Sequence, residues 1–180
     1  MGNIWTETAK LKSWLQVEIA VCEAQAELGY IPAAAVEEIK AKANFDPKRV
    51  LEIEAEVRHD MIAFLTNVNE YVGDAGRYIH LGLTSSDVLD TALALQLVAS
   101  VNILLERVEE LSQAIRYQAQ QHRNTVMVGR SHGIHAEPIT FGFKLAGWLA
   151  EVFRSRARLV NLRSSIAVGK ISGAVGTYAN

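Results

Sequence analysis

"ALQLVASVNILLERVEELSQAI", Ala94 to Ile115, is the stretch whose reading decides the fold. Ala94, Leu97, Val101, Leu104, Val108, Leu111 and Ile115 recur at steps of three and four residues, the repeat that lines one face of an α-helix. Helical character continues to about Gln121, for a helix of roughly 35 residues and about 50 Å at 1.5 Å per residue. A helix that long is marginal alone, so its stripe must pack on similar helices in this chain or another.

Upstream, shorter helices follow one another. Leu11, Trp14, Leu15, Ile19, Cys22 and Ala26 mark a helix over Thr6 to Leu28, stopped by Gly29 with Pro32 beyond. A short helix is expected over about Ala33 to Ala43. Asp46-Pro47 starts another, with a carboxylate cap and a proline at the first position, running to about Val57. A fourth runs from Asp60 to about Val72, before three glycines break the pattern in Gly73 to Leu83. Downstream, a polar loop precedes a second long helix from about Ile139 to Ile166, and "GKISGAVGTYAN" closes the chain irregularly. No stretch alternates apolar and polar residues as a strand would, so the fold class is all-α. The long stripes exceed what two helices can cover. The chain therefore reads as part of a longer protein, or as one that oligomerises through a bundle.

Composition narrows the possibilities. The 180 residues are 49% hydrophobic and 21% charged, with a formal net charge of −2, enough for a real core. Near neutrality offers no electrostatic case for nucleic acid or an anionic membrane. The single cysteine, Cys22, lies on the apolar side of a helical pattern and has no internal partner, which suits a buried thiol in a reducing compartment. No apolar run reaches the roughly 18 residues needed to span a bilayer. Glu7, Lys10 and Lys12 near the start do not suit a signal peptide. A cytoplasmic protein is expected.

Three polar clusters interrupt the helices. Arg58-His59-Asp60 lies between two of them; Asp60 as an N-cap, with cations at the preceding C-terminus, accounts for it without any site. "HLGLTSSD", His80 to Asp87, starts the long helix. Thr84, Ser85 or Ser86 can cap it, with Asp87 adding charge to the first turn. A helix start rich in hydroxyls is equally a place for a carboxylate.

The third cluster is "GRSHGIHAEP", Gly129 to Pro138. A metal clip, a proton-transfer site and a plain connector all compete here. His132 and His135 lack the i, i+4 spacing of a helical zinc pair, and no cysteine lies near, which disfavours metal. Histidine exchanges protons near neutrality, so proton transfer is preferred.

Together the three clusters resemble the adenylosuccinate lyase family of the fumarase/aspartase superfamily. "GRSHGIHAEP" looks like its G-R-T-H-G-x-H-A-E-P loop, while "RHDM" and "HLGLTSSDVLDTA" look like its other two substrate segments, in the same order. The separations, 80 − 59 = 21 and 132 − 59 = 73 residues, also match. The likeness runs from "GNIW" to "GAVGTYAN".

The resemblance implies elimination of fumarate from adenylosuccinate and from the succinylated carboxamide ribotide of purine synthesis. It implies a homotetramer, no cofactor and no metal. By the same resemblance His132 is the general acid for the leaving nitrogen, and His59 assists it within the substrate-binding segment Arg58-His59-Asp60. Thr84 and Ser85 bind the succinyl part, and His80 lines the site. Ser131 stands where the family has threonine and keeps the hydroxyl. His135 supports the site from behind, and His122 is solvated on the long helix. The family's S-S-x-M-P-x-K-x-N loop, which carries the carbon-proton base, is absent from these 180 residues, as is an Arg-Tyr pair before "MGNIW". The expected organisation is an N-terminal helical domain over 1–83 and the start of a central bundle over 84–180, inactive alone. A sister lyase for argininosuccinate or a carboxymuconate, or a non-catalytic helical oligomerisation module, would share the long helices.

Overall fold

The computed structural model describes residues 1–178. Ala179 and Asn180, the last two of the expected bundle segment, lie outside the described residues. Among the described residues six α-helices predominate: α1 (Glu7–Glu27), α2 (Ala33–Lys42), α3 (Pro47–Val57), α4 (Asp60–Val72), α5 (Ser85–Gln121) and α6 (Phe141–Ile166). The all-α reading holds, with one addition. Val126–Ser131 (β1) and Ile134–Thr140 (β2) form an antiparallel two-stranded hairpin.

Two compact units divide the chain. Among the described residues, the first comprises 1–97 with 167–178, the second 98–166.

The first unit is built on α1 to α4 and the start of α5. Local chemistry sets its helix ends. Thr6 Oγ1 accepts from the Ala9 N–H at 3.1 Å, and Asp46 Oδ1 accepts from the Lys48 N–H at 2.9 Å. Each satisfies one of the donors that a helix start leaves without an intrahelical partner. Gly29 takes φ +78° just past α1, the left-handed turn that glycine enters without steric cost. Leu11, Trp14, Ile39, Met61, Phe64 and Val68 are the centre of the core, each no more than 3% exposed. The Trp14 and Phe64 rings meet edge to face at 5.5 Å, an arrangement worth about 0.5–1.5 kcal/mol beyond burial itself. Asn67 is buried but satisfied, accepting from the Asp46 N–H at 2.8 Å and donating to Glu70 at 3.0 Å.

The segment after α6 belongs to this unit and binds the first turns of α5. Lys170 N–H donates to Thr91 Oγ1 at 2.9 Å, and Thr91 Oγ1 donates to the Lys170 carbonyl at 3.2 Å. "GKISG" is irregular to sequence reading because its order comes from α5 and not from its own periodicity.

In the second unit, α5 and α6 run antiparallel. Arg163 donates to Asn102 at 2.6 Å, and Arg156 lies 3.5 Å from Glu109. Gly142 lets the chain re-enter close to the end of α5. A Cβ there would lie 2.5 Å from the Ala119 carbonyl oxygen and 2.8 Å from Arg123 Cα. His122, expected to be solvated, is half-buried instead: its ring packs on Phe141 at 5.2 Å, and its carbonyl accepts from the Gly142 N–H.

The hairpin replaces a loop expected on sequence grounds. Its strands lack alternation because most of their residues are exposed on both faces, and Pro138 within β2 argues against a strand. The two-residue turn decides the matter. His132 (φ 50°) and Gly133 (φ 78°) are both left-handed, flanked by the Ser131–Ile134 pair, and that geometry suits the twist of a hairpin. A register irregularity between Val128 and Arg130 accommodates Gly129, where a Cβ would meet the Glu137 carbonyl oxygen at 2.5 Å.

One sequence expectation needs correction. An 18-residue window of α5 has a mean hydropathy of 1.8, long and apolar enough by composition to cross a membrane. Gln96, Ser100 and Asn102 interrupt its apolar sequence but are uncharged, so the mean hydropathy stays high. Gln96 is buried and donates to the Ile4 carbonyl at 2.7 Å. Of that window, 28% is buried against protein.

Candidate functional site

At the α3–α4 junction, Arg58 ends α3 in the left-handed conformation (φ 57°) and its Nε donates to the Ala55 carbonyl at 3.1 Å. The N-cap of α4 is His59, not Asp60 as expected. Nδ1 of His59 accepts from the Ile62 N–H at 3.4 Å, and Asp60 is the first helical residue, its Oδ1 accepting from the Met61 N–H at 2.7 Å. The extended backbone of His59 (ψ 117°) is what a capping residue requires. Both side chains remain nearly half exposed, at 44% and 48%. His59 and Asp60 therefore cap and charge the helix start while keeping polar surface outside.

The start of α5 is more elaborately built. Thr84 occupies the cap position, and its N–H donates to Asp87 Oδ2 at 3.1 Å, half of a capping box. Asp87 adds its charge to the first turn, as the sequence suggests, and it is fully buried. Lys170 lies 3.0 Å from its Oδ1, the Ser172 N–H donates to Oδ1 at 3.0 Å and the Gly173 N–H to Oδ2 at 3.3 Å. Burial alone would push this carboxyl up. The Ser172 and Thr84 N–H groups and the Lys170 ammonium outweigh it, holding the pKa down to about 2. Lys170 also donates to Ser86 Oγ at 2.6 Å. Among the described residues, the Thr84 and Ser85 hydroxyls have no hydrogen-bond partner.

His80 stands just before this helix start, with φ +66°. Both oxygens of Glu18 face it: Oε2 accepts from the His80 N–H at 3.0 Å, and Oε1 lies 2.5 Å from Nδ1. Glu18 is 1% exposed, so sequence reading missed its part in the cluster. The signal was there, for Glu18 falls at a stripe position of α1, four residues from both Trp14 and Cys22. A carboxylate among apolar stripe residues must have a buried partner. Lys170 was missed for a different reason, since nothing local to "GKISG" pairs it with Asp87.

Ser131, His132 and His135 lie on the hairpin in the second unit, all exposed. Arg130 Nη1 donates to the Gly133 carbonyl at 3.3 Å, bracing the turn. His132 thus sits at the tip of a short, fixed hairpin. The three residues share one hairpin where the sequence predicts a loop.

A groove of about 930 Å³ in the first unit is lined by Val17, Val21, Leu81, Leu83, Leu95 and Ile171, among others, and by none of the candidate site residues. The chemistry lies instead at the helix starts and the hairpin tip. Among the described residues, no group of three or more His, Cys, Asp or Glu side chains is arranged to hold a metal.

A family model described as Lyase matches residues 1–180. The chain is 85% identical over its whole length to the adenylosuccinate lyase of Synechocystis sp., and 48% identical to that of Aquifex aeolicus. It spans 42% of the length of each. Among solved structures, a fumarate lyase from Mesorhizobium sp. superposes with a TM-score of 0.93 at 33% identity, over 98% of this chain and 43% of that one. The β-carboxy-cis,cis-muconate cycloisomerase of Acinetobacter calcoaceticus gives 0.91 at 32%, over 99% of this chain and 43% of the other.

Proposed function

The chain belongs to the lyase family, and from that premise we propose that it contributes to an enzyme eliminating fumarate from adenylosuccinate and from the succinylated carboxamide ribotide. The reaction removes a proton from the carbon beside a succinyl carboxylate, breaks the C–N bond and protonates the departing nitrogen. It therefore needs donors where negative charge develops, and a positioned acid.

The observation that carries the reading is the construction of the α5 start. Asp87, the carboxylate of its first turn, is buried and held by Lys170, while the Thr84 and Ser85 hydroxyls have no partner among the described residues. A helix N-terminus with its own acid neutralised, and with free hydroxyls and N–H groups, is suited to a substrate carboxylate. Thr84 and Ser85 take that role in this reading, beside His80. His132, exposed at the hairpin tip, protonates the nitrogen, next to the Ser131 hydroxyl. His59 assists, and Arg58 and Asp60 hold substrate at the α3–α4 junction.

The assembly proposed is a homotetramer. The exposed apolar side chains of α5 and α6 support it: Leu104, Leu111, Phe143, Trp148 and Val160 are each at least 40% exposed. Helical stripes of this kind are buried by further helices.

The test is fumarate release from adenylosuccinate by a protein carrying this chain at the length of its relatives, with and without His132→Ala. The substitution should lower kcat by about 10²–10⁴ while changing KM far less. An unaltered kcat would remove His132 from the mechanism. Turnover of argininosuccinate or a carboxymuconate in place of adenylosuccinate would assign the chain to a sister activity.

A further inference from the structure

Glu18 is a carboxylate that the chemistry proposed above does not use, although it is 1% exposed on a helix whose buried neighbours are Leu11, Trp14 and Cys22. Burying a charge at such a place is costly unless its oxygens are met by donors. Both are met by one residue. The His80 N–H reaches Oε2 at 3.0 Å and His80 Nδ1 reaches Oε1 at 2.5 Å. The backbone donor has a consequence for the ring, because an N–H can only donate. With Oε2 so engaged, the remaining oxygen faces Nδ1, and a carboxylate oxygen can only accept. With Glu18 ionised, Nδ1 carries the proton.

We propose that Glu18 is a positioning residue that fixes the orientation and tautomer of His80, presenting Nε2 as the ring atom that meets the substrate. This rests on the reading that His80 lines the substrate site. The left-handed backbone of His80 (φ +66°) is part of the device, since it is a conformation that few non-glycine residues adopt and it turns both the N–H and Nδ1 of His80 towards Glu18. The ring stays 20% exposed, so one nitrogen is locked inward and the other is left for a ligand. Neutral, that Nε2 accepts a hydrogen bond; protonated, it donates one to an anion.

Glu18→Gln tests the idea with almost no change in shape. Glutamine has one acceptor oxygen, which the His80 N–H must claim. Its amide NH₂ then faces Nδ1 and donates to it. The His80 proton must move to Nε2, so the substitution should invert the tautomer. Imidazole ¹⁵N NMR of the full chain at alkaline pH, where histidine rings are neutral, reads this directly. Nδ1–H is expected at His80 in the native chain and Nε2–H in Glu18→Gln. An Nε2–H ring in the native chain would overturn the proposal, and that measurement stands even if the variant does not fold.

A double-substitution cycle in the active protein supplies the functional arm. Glu18→Gln should lower kcat/KM by about tenfold, the scale of one well-placed hydrogen bond. It should cost less than twofold when His80 is already Gln. Equal losses in both backgrounds would mean that Glu18 acts through stability alone and would refute the positioning role. If the native protein shows no lyase turnover, the proposed function fails, and the tautomer result still decides what Glu18 does to His80.

Discussion

Lys170 Nζ lies 3.0 Å from Asp87 Oδ1, joining the irregular segment after α6 to the first turn of α5. The carboxylate is fully buried, and the ammonium is about one-third exposed. The pair does two things at once. It fastens residues 170–173 to the helix start, and it cancels a negative charge where the proposed substrate carboxylate would bind.

Asp87 should make the stability of the first unit depend on acid. Its folded pKa is held to about 2, against 3.8 for an ordinary aspartate. A depressed carboxyl contributes stability that is fully present above the unfolded value and is lost as pH falls through the folded one. The window is therefore from about pH 4 down to about pH 2. Asp87→Asn should cost about 2 kcal/mol at pH 7, the order of the shift from 3.8 to about 2 at about 1.4 kcal/mol per pKa unit. Denaturant unfolding at pH 7 and at pH 2 checks this: the gap between native and variant should close at the lower pH.

Cys22 should be inert in the native protein. Burial and the nearby Glu18 carboxylate push its thiol up to about 11, and Sγ donates to the Tyr78 carbonyl at 3.6 Å. Thiolate, the reactive form, is then scarce at neutral pH. A thiol-specific reagent at pH 8 should label Cys22 only after denaturation. Rapid labelling of the native chain would contradict the packing of α1.

Gly142→Ala should destabilise the second unit by about 3 kcal/mol, at the upper end for overpacking. Its Cβ would meet three backbone atoms within 2.9 Å, and backbone has less room to yield than a side chain. Thermal melting followed by circular dichroism measures the loss. A melting point within a degree of native would show that the α5–α6 connection can relax.

Ser85→Asp separates a helix cap from a substrate site. Ser85 is the first residue of α5, with Thr84 at the cap position, and an acid in the first turn is favoured by the helix dipole. Stability should therefore change by less than about 0.5 kcal/mol. A fixed negative charge would nonetheless repel a substrate carboxylate at the same helix end, so substrate binding should weaken severely. Normal melting together with normal substrate binding would show that the segment is a cap and nothing more.

How much of this was legible in sequence follows from the range of each interaction. Helix boundaries were readable to within a residue or two, Asp60 to Val72 among them, because caps, prolines and three-to-four-residue steps act within one or two turns. His132 and Ser131 could be singled out because their neighbours in sequence carry the chemistry. The hairpin beneath them was not visible, since a strand exposed on both faces leaves no alternation and its turn rests on two left-handed residues.

Sequence by itself determined the helical class, the order of the helices and the residue types at each helix start. Only the tertiary structure decided which of those residues are bound and which are free. Glu18 and His80 are 62 residues apart in sequence, and Asp87 finds its donors in the segment after α6. No local pattern encodes such pairs, because burial of a charge specifies that a partner must exist without specifying where along the chain it lies.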